Sequence, residues 1–460
     1  MGETAADVLV VGSGQAGVPL ATRLAGRGKS VVLFERGPLG GTCVNGGCTP
    51  TKTMIASARA AHVARTAKRL GVDVGEVRVD LGAVVDRKDA MVRRWQQSVE
   101  RRLDGKKDRV RVVRAAARFV AERTLEAGGE RFRADTVIVD VGTRPMVPAI
   151  PGLDAVPFLD STTVMAVRDL PAHLVILGGG YIGCEFGQMF RRFGSNVTIV
   201  DHDTHLLGHA DAEVSEALEG VFRTEGIALE LGAKVERVSG PDGRVVLHLG
   251  GGKEIAGSHA LVAVGRRPNT DDLGCDAGGV RLDEHGFVVT DDGYATSAPG
   301  VYAVGDVTGS PQFTHTAWDD HRILFDRLMG GRARGRADRL IPFTVFTDPQ
   351  IAGVGLDEKQ ARSRGIAYEA ATMPFGDVAR ATEIDETAGV MKVLLDPATE
   401  RVLGARIVGA EAGELVHVFV TLMSAGASAR AIVEAEFVHP AFAEGLQSLV
   451  MRLDRFKLAP

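Results

Sequence analysis

A strand, a glycine turn, a helix and a second strand ending in an acid occur twice in this 460-residue chain. That duplication constrains the fold more than any other feature. The first copy is "DVLVVGSGQAGVPLATRLAGRGKSVVLFER", residues 7 to 36, and the second is "HLVILGGGYIGCEFGQMFRRFGSNVTIVDH", residues 173 to 202. A lone G-x-G-x-x-G carries little information. Set between a strand and a helix, with an acid about 20 residues on, it is the dinucleotide fingerprint. Gly12 makes the tight turn, Gly14 lets the backbone approach a pyrophosphate, and Gly17 lets the helix pack against the strand. The helix N-terminus then offers N–H groups to phosphate oxygens. Glu35 ends the second strand, where a carboxylate can bind ribose hydroxyls. The counterparts in the second copy are Gly178, Gly180, Gly183 and Asp201. Glycines that serve only packing are the plainer alternative, but two complete copies favour two bound dinucleotides.

The rest of the chain arranges itself around these units. Residues 54 to 105 carry helical patterns, and residues 110 to 141 alternate like antiparallel strands. From about residue 341, β-rich runs mixed with helices suggest an α+β domain. The net charge of −5 comes with no basic stripe, which argues against nucleic acid as a partner. The apolar runs are shorter than the roughly 20 residues a membrane helix needs. The polar start passes straight into a strand, so no secretory leader is expected. Four cysteines are too few for a secreted disulfide scaffold, and a cytoplasmic setting is expected.

Two of those cysteines stand five positions apart in "GGTCVNGGCTPTK", residues 40 to 52. Zinc usually takes four ligands in close pairs, and Cys184 and Cys275 lie far off in the sequence. Inert core thiols remain open. A redox-active pair is the third reading. In a regular helix, residues five apart are about 8 to 9 Å apart at Cα, whereas a disulfide needs less than about 7 Å. A bridge between Cys43 and Cys48 would therefore require a distorted backbone, and Gly46 and Gly47 supply freedom for one. If a helix follows, Lys52 shares a face with Cys48. A cation near a thiol favours the reactive thiolate.

The order of motifs along the whole chain resembles the FAD-dependent pyridine nucleotide–disulfide oxidoreductases. This family includes dihydrolipoamide dehydrogenase, glutathione reductase, mycothione reductase and mercuric reductase. The motifs are the first fingerprint, the C-x4-C segment, "GTRP", the second fingerprint, "GRRPN", "VYAVGD" and "HPAFAE". The resemblance implies an α/β fold with two Rossmann-like domains, for FAD and NAD(P), and a C-terminal α+β dimerisation domain, as in glutathione reductase. The implied domains are 1–150 for FAD and the disulfide, 151–272 for NAD(P), 273–340 completing the FAD site, and 341–460 for the interface. Gly12, Gly14, Gly17, Glu35, Gly41, Thr42, Lys52, Gly142 and Asp306 would then serve FAD. Gly178, Gly180, Tyr181, Gly183, Asp201, Gly265 and Arg266 would serve NAD(P), with Tyr181 covering the nicotinamide pocket. Cys48 would face the flavin, Cys43 would attack the substrate, and Lys52 would pair with Glu185. His439 and Glu444 would form a proton-transfer dyad for the other subunit of a homodimer, with Pro440 in the first turn of a helix. No metal ligand set is implied.

Several letters depart from the family pattern. Gly46 replaces a common valine, which should loosen the loop. Ala441 replaces a threonine that would cap. Asp140-Val141 stands where "AT" is common, a change near the flavin without an evident reason. Asp201 suits a free ribose 2′-hydroxyl and repels a 2′-phosphate, so NADH is favoured, while His202 and His205 keep NADPH open. No cysteine follows Cys275, which argues against Hg(II) as substrate, and Thr51-Lys52 argues against glutathione and trypanothione disulfides. The expected activity is reduction of a small disulfide, lipoamide among the candidates. A metal-ion (Hg(II) or Cu(II)) or quinone reductase, and a redox-sensing flavin subunit, are the alternatives.

Overall fold

The computed structural model describes residues 3–240, 244–332 and 334–457. The run "ETAADVLVV" forms the strand Glu3–Val11 inside a seven-stranded sheet. Val8 and Val10 pack with Leu20 and Leu24 of the helix Gly17–Ala25, while Leu9 and Val11 pack with Phe34 and Phe132 on the opposite face. A strand buried on both faces needs no polar side, so it reads as a continuous apolar run. Val31–Phe34 pairs with it in parallel, and Val110–Val113 continues the sheet in parallel beyond. Glu130–Val139 lies in parallel on its other side and also pairs in parallel with Val301–Ala303. Thr124–Ala127 and Ala117–Ala121 extend the sheet as antiparallel strands. The antiparallel pattern expected from residue 110 therefore begins only at 117. Val110–Val113 runs parallel to its neighbour because it follows the long helix Leu81–Asp104, and a helical crossover returns the chain in the same direction.

The chain divides into two compact units. The first contains residues 1–53, 83–146 and 265–339, and so the whole seven-stranded sheet. The second contains residues 54–82, 147–264 and 340–460. In it, Ala228–Glu230, Asn196–Val200, His173–Leu177 and His259–Val262 form a four-stranded parallel sheet. A three-stranded antiparallel sheet follows within residues 235–257. Residues 343–409 form a five-stranded antiparallel sheet, which shares a core with the helices Ala412–Ser424 and Glu444–Val450 through Phe375, Met391, Ile407, Phe419 and Leu446. The architecture is thus α/β with a C-terminal α+β part. The helix Cys48–Thr66 contributes residues to both units. No helix among the described residues is long and apolar enough to cross a membrane.

Candidate active site

The cysteine segment is two helices broken at the glycines. Gly41–Asn45 is a short helix, Gly46 closes it by donating its N–H to the Thr42 carbonyl at 2.9 Å, and Cys48 opens the next helix. A Cβ on Gly47 would stand 2.9 Å from that same carbonyl oxygen, so the break demands glycine there. Gly46 has φ −151°, which any residue can adopt, so the departure at this position carries no backbone requirement. Asn45 pins the short helix by donating to the carbonyls of Pro38, Leu39 and Gly41 at 3.2, 3.1 and 2.9 Å.

Cys43 is half-buried, Cys48 is exposed, and both stand as thiols. Cys48 Sγ lies 3.0 Å from Thr314 Oγ1, at the start of the helix Thr314–Met329. The Cys43 thiol is pushed far above its ordinary range, first by its hydrogen bond to Cys48, then by burial and by the charge on Cys48. Thr314 and the Lys52 ammonium pull the other way but do not prevail. The Cys43 thiol therefore holds its proton more firmly than an ordinary cysteine and lies in hydrogen-bond contact with Cys48. Lys52 follows Cys48 by one helical turn, as its spacing implies.

Both glycine loops have the geometry of a phosphate cradle. Gly12 and Gly178 have φ of +106° and +109°, and a Cβ on either would press into a carbonyl oxygen, of Asp140 and of Ala263 respectively. The residues that precede the helices at Gly17 and Tyr181 do not cap them with their own side chains, although Gly17 N is itself held by Asp140, and a helix start of this kind can offer N–H groups to an anion. In the first loop, Glu35 accepts from Ser13 N at 3.0 Å, Ser13 Oγ at 2.6 Å and Gly37 N at 2.8 Å. Ser13 Oγ in turn accepts from Gly40 N at 3.1 Å, which ties the loop to the cysteine segment. In the second loop, Asp201 accepts from Gly179 N, and from Asp203 N at 2.8 Å. His202 Nδ1 lies 3.1 Å from Asp201, and His205 is held by Glu219 at 3.2 Å. Asp201, His202 and Asp203 bring their ligand atoms together, a grouping that exposed acids often form without an ion. Amide cradles with a strand-end carboxylate fit the pyrophosphate and ribose of two dinucleotides.

The floor of the first cradle holds a residue that its twin lacks. Asp140 is 7% exposed, and its Oδ2 accepts from Gly17 N at 2.7 Å. Burial drives its pKa well above the ordinary carboxylate range. The charges of Asp306 and Asp320 add to that, against the amides of Gly17 and Ala16. Hydrogen bonds to a charged group contribute about 1.5–3 kcal/mol each. Burying an ion with no counter-ion costs several kcal/mol, so the proton stays.

Asp306 accepts from Thr143 Oγ1 at 3.1 Å. Arg266 donates to Thr143 Oγ1 and to its carbonyl, both at 2.8 Å. Burial raises the Asp306 pKa, and Arg266 offsets part of that rise. Arg266 and Gly265, grouped by motif with the second nucleotide, thus lie in the first unit. Gly142 accepts from Asn269 N at 3.1 Å. Fully buried Asp320 accepts from Tyr294 Oη at 2.6 Å and Gly305 N at 2.7 Å, and pairs with Arg339.

In the second unit, Tyr181 begins its helix and is 39% exposed. Buried Glu185 accepts from Phe346 N at 2.8 Å. Glu185, Gln188, Arg59, Arg192 and Asp348 line a cavity of about 100 Å³. Arg59 and Arg192 both pair with Asp348, and their charges outweigh its burial and hold the carboxyl below its ordinary range. The exposed His439 Nδ1 donates to Glu444 at 2.9 Å. The expectation that Pro440 occupies the first turn of a helix is corrected. The His439–Pro440 peptide is cis, and the helix starts at Glu444. Ala441 N donates to Glu444 at 3.4 Å.

Ser13, Asn45, Thr314 and Asp320 carry this geometry and were not expected from sequence. Ser13, Thr314 and Asp320 act on segments remote in the chain, which no local pattern marks, whereas Asn45 acts on carbonyls just before it.

Comparison with known proteins places these features in a family. Residues 6–320 match the pyridine nucleotide-disulphide oxidoreductase model, and residues 341–450 match that family's dimerisation domain. A mercuric reductase from Lysinibacillus sphaericus is 34% identical over 98% of this chain and 83% of its own length. A dihydrolipoyl dehydrogenase from Thermus scotoductus is 34% identical over 98% of this chain and 97% of its own. Among solved structures, the Cu(II) complex of RclA, a HOCl-induced flavoprotein disulfide reductase from Escherichia coli, superposes with a TM-score of 0.89. It is 32% identical and covers 97% of this chain and 100% of its own.

Proposed function

The chain belongs to the pyridine nucleotide-disulphide oxidoreductase family. On that premise we propose that it takes reducing equivalents from NADH, in preference to NADPH, and passes them through Cys43 and Cys48 to a small disulfide. Lipoamide or another low-molecular-weight thiol disulfide would be the acceptor. The observation that carries this reading is the contact of the two cysteines, Cys43 hydrogen-bonded to Cys48, with Thr314 at the Cys48 sulfur and Lys52 one turn away. FAD, the cofactor of the family, supplies hydride acceptance from the nicotinamide and two-electron reduction of the cysteine bridge. The first loop, Glu35, Gly41, Thr42, Lys52, Gly142 and Asp306 would hold it, and the second loop, Tyr181 and Asp201 would hold the nicotinamide nucleotide.

The residues then divide the work. Cys43, once its proton is withdrawn, attacks one sulfur of the substrate and releases the other half as a thiolate. Cys48 attacks Cys43 Sγ, closes the internal disulfide and releases the second half. Each leaving thiolate takes a proton. His439, oriented by Glu444, is the proposed donor, supplied by one subunit of a homodimer to the cysteines of the other. Lys52 would stabilise negative charge beside the pair, with Glu185 as its counter-ion. Cys43→Ser should abolish disulfide turnover while NADH still reduces the bound flavin; retained turnover would overturn the reading. Mixed dimers of His439→Ala and Cys48→Ser subunits should recover activity above either parent, and no recovery would overturn the shared site.

Reduction of a soft metal ion is the second reading. It is favoured by the likeness to mercuric reductases and to a Cu(II)-bound flavoprotein, and by two thiols suited to soft ions. Faster NADH oxidation with Cu(II) or Hg(II) than with every disulfide tried would favour it.

A further inference from the structure

Asp140 and Ala263 hold the same position in the two copies, each giving its carbonyl to the turn glycine of its own loop. In the second copy nothing stands within 4 Å of a Cβ built on Gly180. In the first copy the Asp140 carboxyl fills the equivalent space. Its Oδ2 would be 2.7 Å from a Cβ on Gly14 and 3.0 Å from one on Gly17, and its Oδ1 would be 2.8 Å from one on Gly305. One buried carboxyl thus joins the pyrophosphate loop, the first amide of the helix behind it and the Gly305–Asp306 turn. No cation faces it. The helix Gly17–Ala25 presents backbone amides, the Gly305–Thr308 turn presents Asp306, and the helix Thr314–Met329 presents Asp320. Arg266 is spent on Thr143 and Asp306, and Arg339 on Asp320.

We propose that Asp140 is a positioning residue of the first dinucleotide site, whose carboxyl must carry its proton for the anionic pyrophosphate to bind, so that FAD retention is linked to pH. The proposal rests on the reading of the first loop as the FAD site. A neutral carboxyl braces the loop. Once ionised, it would place a negative charge against the amides proposed to hold the pyrophosphate and beside two other acids. Its raised pKa agrees with the geometry. Phosphates above it raise that pKa further, so bound protein holds the proton more tightly than FAD-free protein. By linkage, the apparent Kd then rises with pH between the two values.

The test follows release of FAD from the holoenzyme by flavin fluorescence, from pH 6 to pH 9, in wild type, Asp140→Asn and Asp140→Ala. Wild type should lose affinity by up to about tenfold per pH unit over the ionisation interval, the limit for one linked proton. Asp140→Asn, neutral and nearly the same shape, should hold the low-pH affinity throughout. Asp140→Ala should be equally flat with pH but weaker than Asp140→Asn, because the brace is gone. Parallel profiles for wild type and Asp140→Asn would overturn the proposal. So would loss of FAD from Asp140→Asn at every pH, which would show that the charged carboxylate is needed. Failure of wild type to bind FAD at any pH would instead remove the reading of the loop itself.

Discussion

The two nucleotide loops share a turn and a strand-end acid, yet they differ in what lies beside their glycines. Gly12 and Gly178 adopt nearly the same φ, and Glu35 and Asp201 each fasten the residue after the turn glycine. Beneath the first loop lies a buried carboxyl; in the second, nothing stands within 4 Å of a Cβ built on Gly180. The G-x-G-x-x-G spacing dictates backbone shape alone. The electrostatics come from a separate strand, Glu130–Val139 with the residues after it in one copy and His259–Val262 with its successors in the other. One motif therefore builds two cradles whose responses to pH differ.

The largest effect should come from breaking each turn. Gly12→Ala forces a side chain into a left-handed backbone and a carbonyl oxygen. It should cost about 2 kcal/mol or more in denaturant unfolding and strip the flavin absorbance. Gly178→Ala should leave the flavin bound and raise the KM for the nicotinamide nucleotide about tenfold or more, a loss near 1.4 kcal/mol. Flavin loss in both variants would break the assignment of one dinucleotide to each loop.

The acids come next. Glu35→Ala and Asp201→Ala each remove charged hydrogen bonds worth about 1.5–3 kcal/mol apiece. Only Asp201→Ala should raise the NADPH-to-NADH ratio of kcat/KM, by about tenfold, or 1.4 kcal/mol. An unchanged ratio would remove Asp201 as the source of the preference.

A smaller effect concerns stability and pH. Because the Asp140 pKa is raised on folding, its contribution is complete below the ordinary carboxylate range and is lost as pH rises through the folded value. The unfolding free energy of wild type in urea should therefore fall relative to Asp140→Asn as pH rises, by at most about 1.4 kcal/mol per pH unit. Asp306 shifts in the same direction and is present in both proteins, so the difference isolates Asp140.

The smallest change would copy the floor of one loop into the other. Ala263→Asp should raise the KM for the nicotinamide nucleotide about threefold at high pH and less at low pH, since a half-buried charge is partly screened. A pH-independent rise would mean that bulk rather than charge sets the difference.

Much of this site was legible in the sequence, for local reasons. The loops announce themselves because strand, turn and helix are consecutive, and the glycines answer to steric demands within a few residues. The break between Cys43 and Cys48 followed from a spacing that a regular helix would hold too far apart. The pairing of His439 with Glu444 was legible as well, although its frame was not. The rule that places proline in a first helical turn assumes a trans connection, whereas Pro440 follows a cis peptide and the helix waits until Glu444. Asp140 was noticed as an odd letter but given no role, since its partners Gly17 and Gly305 lie on other segments. Thr314 sits more than 250 residues from the cysteine it touches. Gly46 drew attention as the unusual glycine, yet Gly47 is the one that a neighbouring carbonyl requires.

By itself the sequence determined the duplicated α/β units, the broken helical segment carrying the thiols, and the acids at the strand ends. Each of these depends on periodicity and turn chemistry within about thirty residues, the length of one βαβ unit. Only the tertiary structure decided that Cys43 is hydrogen-bonded to Cys48, that Arg266 and Thr143 serve Asp306, and that a carboxyl lies under the first loop. Those outcomes depend on burial and on charges brought together from distant segments. A pKa and a hydrogen-bond partner are set by what surrounds an atom in space, and order along the chain does not specify that.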